Sequence, residues 1–488
     1  MSKTRGLTAK EIVRDIRSKE MSAEERVASI FERIHKVEDE VHAFVTLLED
    51  EALEKAREID EKVLKGKTLG KLAGVPIAVK DVICTKGIRT TCSSHMLESF
   101  IPPYDATVIE RIKREDAVII GKTNMDEFAM GSTTETSYFG PTHNPWDLSR
   151  VPGGSSGGSG AAIAADETVL AFGSDTGGSI RCPASYCSTV GIKPTYGLVS
   201  RFGLIAYANS LEQIGPMAKN VYDCALLLSL IAGYDFRDST SVRMPLRDYT
   251  SSLKNNVEGF KIGVPKEFFG EGTSEAVRKL VWKAIHKLQE LGGTYEETSL
   301  PSLEYALPTY YIIAMSEASS NLARYDGLRY GYRIDRDEAD WSTVYSKNRR
   351  IGFGAEVRRR VILGTYALSA GYYNKYYLKA LKIRTLIRRD FECAFQKFDV
   401  VVGPTMPIPP FKIGEKIEDP LALYMCDIDT VPVNLAGLPA ISIPCGFTEG
   451  LPIGMQIMAP PFHEDVMLRV AYTFERNTSC KDRKPPLK

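Results

Sequence analysis

Short apolar runs alternate with longer helical patterns along most of the chain, and this alternation predicts an α/β architecture. Residues 1–70 carry helical patterns, and Ser-Ala-Glu-Glu at 22–25 is a capping-box signal for one of these helices. Apolar runs at 75–82 and 117–120 predict buried strands, with a helix at 107–114 between them. We therefore expect a helical N-terminal segment followed by the first strands of a sheet.

Strand patterns return after the first third of the chain and again near its C-terminus. They lie at 190–193, 214–218, 261–264, 400–402, 440–443 and 455–458. Residues 300–398 between them are almost entirely helical in pattern. The strand patterns on both sides of this helical section predict a single domain over 1–488, with core motifs at 71–245 and with 399–478 completing the sheet. The predicted fold class is α/β, a mixed central β-sheet flanked by helices on both faces.

The balance of charge gives the chain no surplus that would attract it to nucleic acid or to an anionic membrane, because 62 Lys and Arg are matched by 62 Asp and Glu. Nine scattered cysteines without a Cys-x-x-Cys pair are typical of reduced thiols in a cytosol. Neither the cysteines nor the six histidines have metal-ligand spacing. The N-terminus lacks the apolar core of a targeting peptide, and the longest apolar run, 224–233, is too short to span a bilayer. A cytoplasmic protein with no bound metal and no membrane attachment is expected.

Two clusters of Gly and Ser, at 153–160 and 173–179, flank an Ala-rich segment. This composition predicts a buried loop–helix–loop, since glycine lets backbone N–H groups approach a ligand closely. A serine in such a loop can become a nucleophile if a neighbour takes its proton. The first cluster lacks the Gly-Lys-Ser/Thr end of a phosphate-binding loop and the Gly-x-Gly-x-x-Gly dinucleotide fingerprint. A structural glycine turn remains an alternative for either cluster taken alone.

No histidine of the sequence is supported as the base that such a serine needs. His35, His42 and His286 lie in charged helical stretches, and no Gly-x-Ser-x-Gly elbow follows a strand. Lys80 differs, because it lies in a strand pattern with apolar residues on both sides. Burial lowers the pKa of a lysine, and a neutral amine is a competent base near pH 7. A lone lysine in a strand is more often structural, so this pattern alone leaves the base open.

Three motifs together resemble the amidase signature family: VPIAVKD at 75–81, RVPGGSSGGS at 150–159 and GSDTGGSIRCPAS at 173–185. The resemblance implies the amidase-signature fold and a Ser–cis-Ser–Lys catalytic set, in which Ser179 is the nucleophile and Lys80 the base. It also implies that Ser155 links them and follows a cis peptide bond. The oxyanion hole is expected from backbone N–H groups of the same loop. Its predicted donors are Thr176, Gly177 and Gly178, together with Ser179.

Four further segments, 126–147, 310–329, 353–369 and 431–446, resemble the members of this family that serve as the A subunits of aspartyl/glutamyl-tRNA amidotransferases. This closer resemblance implies that the chain hydrolyses glutamine and supplies ammonia for amidation of Glu-tRNA(Gln), Asp-tRNA(Asn) or both. It assigns Arg359 to the substrate carboxylate and Asp427 to the substrate ammonium, with Tyr310 and Gly131 lining the pocket. Arg358 and Arg360 flank Arg359, and the sequence does not decide among the three.

The same resemblance implies a heterotrimer with the B and C subunits of the amidotransferase, in which tRNA is bound mainly by the B subunit. ATP and Mg²⁺ are expected at the partner's site, and no cofactor is expected on this chain. A stand-alone amidase of the same family, acting on a small amide, is the nearest alternative. A nucleotide-binding or scaffold protein with an inactive site is an alternative from another class.

Overall fold

The computed structural model describes residues 8–334 and 340–487. Residues 1–7 of the predicted N-terminal segment, 335–339 of the predicted helical section, and residue 488 lie outside the described residues. The strands of the described ranges are β1 Phe44–Leu47, β2 Pro76–Lys80, β3 Val118–Thr123, β4 Leu170–Asp175, β5 Val190–Lys193, β6 Gln213–Ala218, β7 Lys261–Pro265, β8 Thr294–Thr298, β9 Val400–Pro404, β10 Ala440–Thr448 and β11 Leu451–Met458.

The α-helices of the same ranges cover the sheet and fill the section between β8 and β9. They are α1 Ala9–Ser18, α2 Ala23–Val41, α3 Glu49–Leu64, α4 Thr107–Arg114, α5 Gly157–Ala164, α6 Arg181–Tyr186, α7 Val221–Ile231, α8 Glu275–Glu290, α9 Ala306–Leu322, α10 Trp341–Gly352, α11 Ala355–Leu368, α12 Lys379–Ala394, α13 Pro420–Tyr424, α14 Val431–Ala436 and α15 Glu464–Arg476. None of them is both long and apolar enough to cross a membrane.

All strands of the described residues belong to one mixed sheet, in the order β1-β3-β2-β4-β6-β5-β10-β11-β9-β7-β8. The two ends of the sequence meet at the centre of this sheet, where Lys193 of β5 pairs antiparallel with Ala440 of β10. The prediction that strands from both ends build one sheet is therefore confirmed. The α/β fold class with a mixed sheet flanked by helices is confirmed as well.

Three neighbouring strands position the residues of the site. The middle strand of the three, β2, is parallel to β3 on one side and to β4 on the other. The carboxyl ends of parallel strands meet at one edge of a sheet, where open α/β sheets commonly bind ligands. Lys80 is the last residue of β2, and Asp175 is the last residue of β4. The predicted base and the predicted nucleophile loop are therefore brought to the same edge by topology alone.

Three strands were not predicted. Phe44–Leu47, inside the segment 1–70 that we expected to be helical, is a four-residue edge strand paired with β3. Leu170–Asp175 is a strand at the point where the Ala-rich segment of the predicted loop–helix–loop meets the second Gly/Ser cluster, and the helix, α5, begins inside the first cluster. Every residue of this strand is buried, so it lacks the alternation that marks a half-exposed strand. Thr294–Thr298 is polar because it forms the other edge of the sheet, where one side faces solvent.

The helical section supplies one wall of the site. Helices α9 and α11 pack closely, since an added Cβ at Gly364 of α11 would lie 1.9 Å from the carbonyl oxygen of Met315 in α9. This close packing fixes the position of Tyr310 on α9 relative to Arg359 on α11. The predicted capping box at 22–25 is confirmed, because the Ser22 hydroxyl accepts from the N–H of Glu25 at the start of α2.

Candidate active site

Lys80 is completely buried at the end of β2, and its amine lies among hydroxyl groups. Nζ is 2.7 Å from Ser155 Oγ and 2.9 Å from Ser174 Oγ, and it also contacts the Ser174 carbonyl oxygen at 3.3 Å. Burial lowers the pKa of Lys80 to about 7, while the carboxylates of Asp126 and Asp175 oppose this decrease. A substantial fraction of the side chain is therefore a neutral amine at neutral pH.

Ser155 follows a cis peptide bond with Gly154, as the family resemblance implies. A Cβ at position 154 would lie 2.1 Å from Asp126 Oδ2 and 2.5 Å from the nitrogen of Thr133, so only glycine fits there. The loop is held from the other side as well, because the N–H of Asp126 donates to the Ser155 carbonyl oxygen at 3.3 Å. The buried Ser155 hydroxyl is thereby fixed beside the Lys80 amine.

Ser179 lies in the loop between β4 and α6. Its side chain is in the more accessible part of the site: Ser179 is 7% exposed, whereas Lys80 and Ser155 are 0% exposed. The N–H of Ser156 donates to the Ser179 carbonyl oxygen at 3.1 Å, which ties the two Gly/Ser loops together. Within the described ranges the Ser179 hydroxyl makes no hydrogen bond, and the second hydroxyl at Lys80 belongs to Ser174. The hydrogen bond from Ser179 to Ser155 in the predicted relay therefore stays a prediction.

A buried ion pair holds the nucleophile loop in shape. Arg181 donates through Nε to Asp175 Oδ2 at 3.0 Å and through Nη2 to Oδ1 at 3.1 Å, and both side chains are 0% exposed. Asn434 of α14 contributes a further hydrogen bond to Asp175 Oδ1 at 2.9 Å. Burial works to raise the pKa of Asp175, but Arg181, Lys193 and Asn434 outweigh it and hold that pKa well below its usual range. Asp175 is therefore an anion around which the loop 176–181 is wrapped.

One predicted oxyanion donor is already occupied. The N–H of Gly178 donates to Asp175 Oδ1 at 2.8 Å, because the loop turns back onto this carboxylate. The prediction of Gly178 as a donor to the oxyanion is therefore corrected, and the N–H groups of Thr176, Gly177 and Ser179 remain as candidates. Gly178 is instead required by its positive φ of 131°.

The loop 176–181 contacts two other segments of the site. An added Cβ at Gly177 would lie 2.5 Å from the Tyr310 hydroxyl oxygen, so the Tyr310 ring lies directly against this loop. Thr430 donates from Oγ1 to the Gly177 carbonyl oxygen at 2.6 Å. Tyr310 thus lies beside Gly177, two residues before Ser179, and its predicted role in lining the substrate pocket stays a prediction.

Asp427 is buried between two hydroxyl donors. Ser132 Oγ donates to it at 2.8 Å, and the Tyr311 hydroxyl donates to Oδ2 at 2.7 Å. Burial raises the pKa of Asp427 to about 6, although these two hydrogen bonds act in the opposite direction. The carboxyl group is ionised at neutral pH and titrates in the weakly acidic range.

Gly131, predicted to line the pocket through its backbone, adjoins Ser132 in this region. An added Cβ there would lie 2.4 Å from Asp126 Oδ1. The structure thus explains the glycine by the close approach of Asp126. A backbone contact of Gly131 with substrate stays a prediction.

The three adjacent arginines of α11 have different environments. Arg360 is buried, donates from Nε to Glu356 at 2.8 Å and from Nη1 to the Tyr207 hydroxyl at 2.8 Å, and lies over the ring of Tyr311. Arg359 also pairs with Glu356, but 40% of its side chain is exposed. Burial works to raise the pKa of Glu356, but Arg360 and the Tyr424 hydroxyl hold it below its usual range. Arg360 therefore belongs to the scaffold of the pocket, whereas Arg359 retains donors that face outward.

Several residues of the site were not identified from the sequence, although each adjoins one that was. Ser174 lies within the GSDTGGS motif, Ser132 follows Gly131, Tyr311 follows Tyr310, and Asp126 opens the segment 126–147. The signal was therefore present in the motifs. No group of three or more His, Cys, Asp or Glu in the described part of the chain could hold a metal ion, and the expectation of no cofactor on this chain stays a prediction.

Known proteins are similar to this chain over most of its length. The sequence model of the family described as Amidase matches residues 25–468. The A subunit of glutamyl-tRNA(Gln) amidotransferase from Methanosarcina mazei is 60% identical over 468 residues, which are 96% of this chain and 96% of that protein.

Solved structures give the same result. The crystal structure of the A subunit of glutamyl-tRNA(Gln) amidotransferase from Thermotoga maritima matches with a TM-score of 0.83 and 41% identity, covering 99% of this chain and 98% of that one. A bacterial aryl acylamidase of the amidase signature enzymes family matches with a TM-score of 0.86 and 26% identity, covering 98% of each chain. By sequence, fold and the arrangement of its lysine and serines, this chain belongs to the amidase signature family of enzymes.

Proposed function

We propose that this chain is the glutaminase subunit of a tRNA-dependent amidotransferase, which hydrolyses glutamine through an ester on Ser179 and supplies ammonia to a partner. The observation that carries the chemistry is the buried Lys80 amine, 2.7 Å from the Ser155 hydroxyl. The 60% identity over 96% of the chain to a protein named as the A subunit of glutamyl-tRNA(Gln) amidotransferase supports the choice of reaction.

In the acylation step, Ser179 Oγ attacks the side-chain carbonyl carbon of glutamine. Its proton passes to Ser155, while the Ser155 proton passes to the neutral Lys80 amine. The negative charge that develops on the carbonyl oxygen is stabilised by backbone N–H groups of the 176–179 loop; one such donor is worth about 2.7–4 kcal/mol. Collapse of the tetrahedral intermediate breaks the C–N bond, and the proton held by Lys80 returns through Ser155 to the leaving nitrogen.

In the deacylation step, water attacks the ester and the same groups act again. The Lys80–Ser155 pair takes a proton from the water, and Ser179 Oγ leaves as the restored hydroxyl with glutamate as product. Each proton that Lys80 accepts is thereby given back in the same half-reaction. The amine ends the cycle neutral, which requires the lowered pKa that its burial produces.

Glutamine recognition follows from the charges at the two sides of the pocket. Asp427 is a buried anion suited to the α-ammonium, and Tyr311 and Ser132 fix its orientation. Arg359, which is 40% exposed and has donors left over from its pair with Glu356, is suited to the α-carboxylate. An amide substrate without these two charges would form neither of these interactions, so the pocket favours glutamine over a simple amide.

The assembled enzyme in this proposal is a heterotrimer with the B and C subunits of the amidotransferase. Glutamine binds here, whereas tRNA is contacted mainly by the B subunit, which also uses ATP and Mg²⁺. No step on this chain involves ATP or Mg²⁺. The ammonia released at Ser179 converts Glu-tRNA(Gln), Asp-tRNA(Asn) or both to the amidated form.

The decisive experiment compares two nitrogen sources in the assembled complex. The chain is copurified with candidate B and C subunits, and amidation of misacylated tRNA is measured with glutamine or with ammonium. We expect Ser179→Ala to abolish glutamine-driven amidation and to spare ammonium-driven amidation, because only the first needs the ester. Loss of both activities would contradict the proposal.

A stand-alone amidase of the same family is distinguished by the purified chain alone. Strong hydrolysis of simple amides without preference for glutamine, unaffected by partner subunits, would favour that alternative. An inactive scaffold would fail to react at Ser179 with a serine-directed acylating reagent, a result that peptide mapping detects directly.

A further inference from the structure

Two neighbouring cavities outside the active site are lined by cations, although the chain as a whole carries no net charge. The first has a volume of about 620 Å³ and lies along α1 and the start of α7. Four cationic side chains, Lys10, Arg14, Arg17 and Lys71, line it together with one carboxylate, Asp248. Such an imbalance attracts an anion, because each unpaired cation in a concave surface adds to the local positive potential.

The second cavity has a volume of about 360 Å³ and lies between the start of α7 and the C-terminal segment after α15. It repeats the same imbalance, with Lys219, Lys481, Arg483 and Lys484 against the single carboxylate Asp482. The eight cations of the two cavities together form a basic track.

The two cavities meet where α1 and α7 begin. Thr8 lines the second cavity, and Lys10, two residues later, lines the first. In the same way, Asn220 lines the second cavity and Tyr222 lines the first. The N–H of Ala9 donates to Asp223 Oδ2 at 3.1 Å, which joins the two helices at this point. The two basic cavities therefore lie side by side at the N-terminal ends of α1 and α7.

Half of the cations of the track make no ion pair with the described residues. Within the described ranges, the side chains of Lys71, Lys481 and Lys484 make no hydrogen bond or ion pair, and Lys10 contacts only the ring of Tyr222, 5.4 Å from its centroid. All four lysines are exposed. A surface cation without a partner costs little by itself, but a row of them repels its own members until an external anion binds.

The other four cations are anchored to the protein and give the track a fixed shape. Their contacts are the ion pairs of Arg14 with Asp15 and of Lys219 with Asp166, the hydrogen bond of Arg17 to the carbonyl oxygen of Gly70 at 3.2 Å, and the Arg483 guanidinium 4.5 Å from the ring centroid of Phe447. The track thus combines cations that are anchored to the protein with cations that make no ion pair. Its first cavity lies along α1, which is about 15 Å long at 1.5 Å per residue.

We propose that the basic track binds the phosphodiester backbone of an RNA. This inference rests on the proposed function, since that function supplies an RNA substrate. Hydroxyl donors accompany the cations, with Ser18 and Thr250 in the first cavity and Ser188 in the second, and such donors together with Lys and Arg are the usual partners of phosphate oxygens. The Tyr222 ring, which lines the first cavity, adds a face on which a base can stack. An acidic polypeptide would use the cations but not this ring.

Contacts of this kind position an RNA without reading its sequence, and they depend strongly on salt. The test measures the affinity of the full chain for fluorescently labelled unfractionated tRNA by anisotropy over a range of salt concentrations. The track variant carries Lys10→Glu, Lys71→Glu and Lys484→Glu, all at exposed lysines without a hydrogen bond or ion pair. The control carries Lys347→Glu, Lys379→Glu and Lys382→Glu, which change the net charge equally on α10 and α12.

We expect the track variant to bind tRNA about tenfold more weakly at moderate salt, with a slope of log affinity against log salt that is shallower by about two to three, since each lost phosphate contact removes about 0.7–0.9. The control should bind like the unchanged chain. Equal affinities of the two variants, or no measurable binding of tRNA to the unchanged chain, would overturn the proposal. Displacement of labelled tRNA by polyglutamate at a lower charge concentration than by unlabelled tRNA would overturn it in favour of an acidic protein partner.

Glutamine hydrolysis separates this inference from the proposed function. The track variant should hydrolyse glutamine at the rate of the unchanged chain, and Ser179→Ala should bind tRNA with unchanged affinity. Loss of tRNA binding in Ser179→Ala would contradict a separate site on the track. Absence of glutamine hydrolysis in the unchanged chain, with tRNA binding intact, would count against the proposed function and leave the track supported.

Discussion

Replacing Ser174 by alanine tests how the protein holds the Lys80 amine toward Ser155. Lys80 Nζ has three neighbours, the hydroxyl of Ser155 and both the hydroxyl and the carbonyl oxygen of Ser174. The two oxygens of Ser174 accept hydrogen bonds from the amine, so the nitrogen lone pair of the neutral form is directed at Ser155. Ser174→Ala removes one of these acceptors and leaves the other in place.

The size of the effect follows from the charge of the donor. A hydrogen bond from an ammonium is about twice as strong as one from a neutral amine, so the Ser174 hydroxyl stabilises the protonated form by about 1 kcal/mol more than the neutral form. One pKa unit corresponds to about 1.36 kcal/mol, so loss of this hydroxyl lowers the pKa of Lys80 further, by about half to one unit. The base then becomes neutral at lower pH, and the rising limb of the pH profile moves in the acidic direction.

The assay is the pH dependence of kcat/KM for glutamine hydrolysis by Ser174→Ala and by the unchanged chain, with glutamate measured as product. The matched control is Ser156→Ala, because Ser156 Oγ contacts the carbonyl oxygen of Ser174 at 3.2 Å and does not contact Lys80. The limb should shift in the first variant and stay in place in the second. An unmoved or alkaline-shifted limb in Ser174→Ala would refute the assignment of Lys80 as the titrating base.

Three further predictions concern the pocket and its frame. Asp427→Asn should raise KM for glutamine, and in the unchanged chain KM should rise below pH 6 as Asp427 is protonated; steady-state kinetics at constant ionic strength measure both, and a flat KM would contradict the role of Asp427. Arg181→Met should lower the free energy of unfolding by about 3–5 kcal/mol, because Asp175 would remain buried without its partner; thermal and urea unfolding measure this loss. Gly177→Ala should lower the free energy of unfolding by about 1–3 kcal/mol and reduce kcat/KM, since the new methyl group displaces Tyr310. Gly272→Ala is the control for crowding, because no atom lies near an added Cβ there, and any loss it shows comes from its positive φ alone.

The catalytic edge of the sheet was predictable because its residues stand in continuous motifs. Lys80 ends an apolar strand, and apolar neighbours on both sides of a lysine indicate its burial from the sequence alone. The cis peptide bond before Ser155 was expected from the family resemblance and is confirmed. Long motifs in the right order constrain both the local backbone and the spatial relation of the segments.

The remaining contacts of the site could not be predicted, because the sequence does not show which of two adjacent helical residues faces the site. Whether Tyr310 or Tyr311 faces Asp427 depends on the rotation of α9, which is set by its packing against α11 at Gly364. In the same way, the buried position of Arg360 and the exposed one of Arg359 follow from the orientation of α11. Sequence patterns locate such helices but do not fix their rotation to within one residue.

The missed strands have a different cause. Strand β4 lies between β2 and β6 and is buried along its whole length, so its apolar residues show no period that separates a strand from a helix. Strands β1 and β8 are the two edges of the sheet, and their sequences are short or polar because one side needs no partner. The alternation of apolar and polar residues that identifies a strand is therefore weakest in fully buried strands and in the edge strands of a sheet.

The occupied N–H of Gly178 could not be read from sequence either. It depends on the loop 176–181 folding around Asp175, which in turn depends on Arg181 and on Asn434 from a distant part of the chain. A motif shows which residues a loop contains, but the direction of each N–H is set by the partners that the loop meets in the folded protein.

Acylation of Ser179 in the presence and absence of the Lys80 amine tests the central claim most directly. The chain is mixed with glutamine, quenched with acid at short times, and the glutamyl ester on Ser179 is quantified by mass spectrometry across the range from weakly acidic to weakly alkaline pH. We predict that the rate of ester formation rises with an apparent pKa near 7. Lys80→Met, which keeps the buried volume, should form the ester about 10²–10⁴-fold more slowly at pH values where the Lys80 amine of the unchanged chain is neutral, and should lack this pH dependence. Ester formation by a folded Lys80→Met variant at the rate of the unchanged chain would contradict the account.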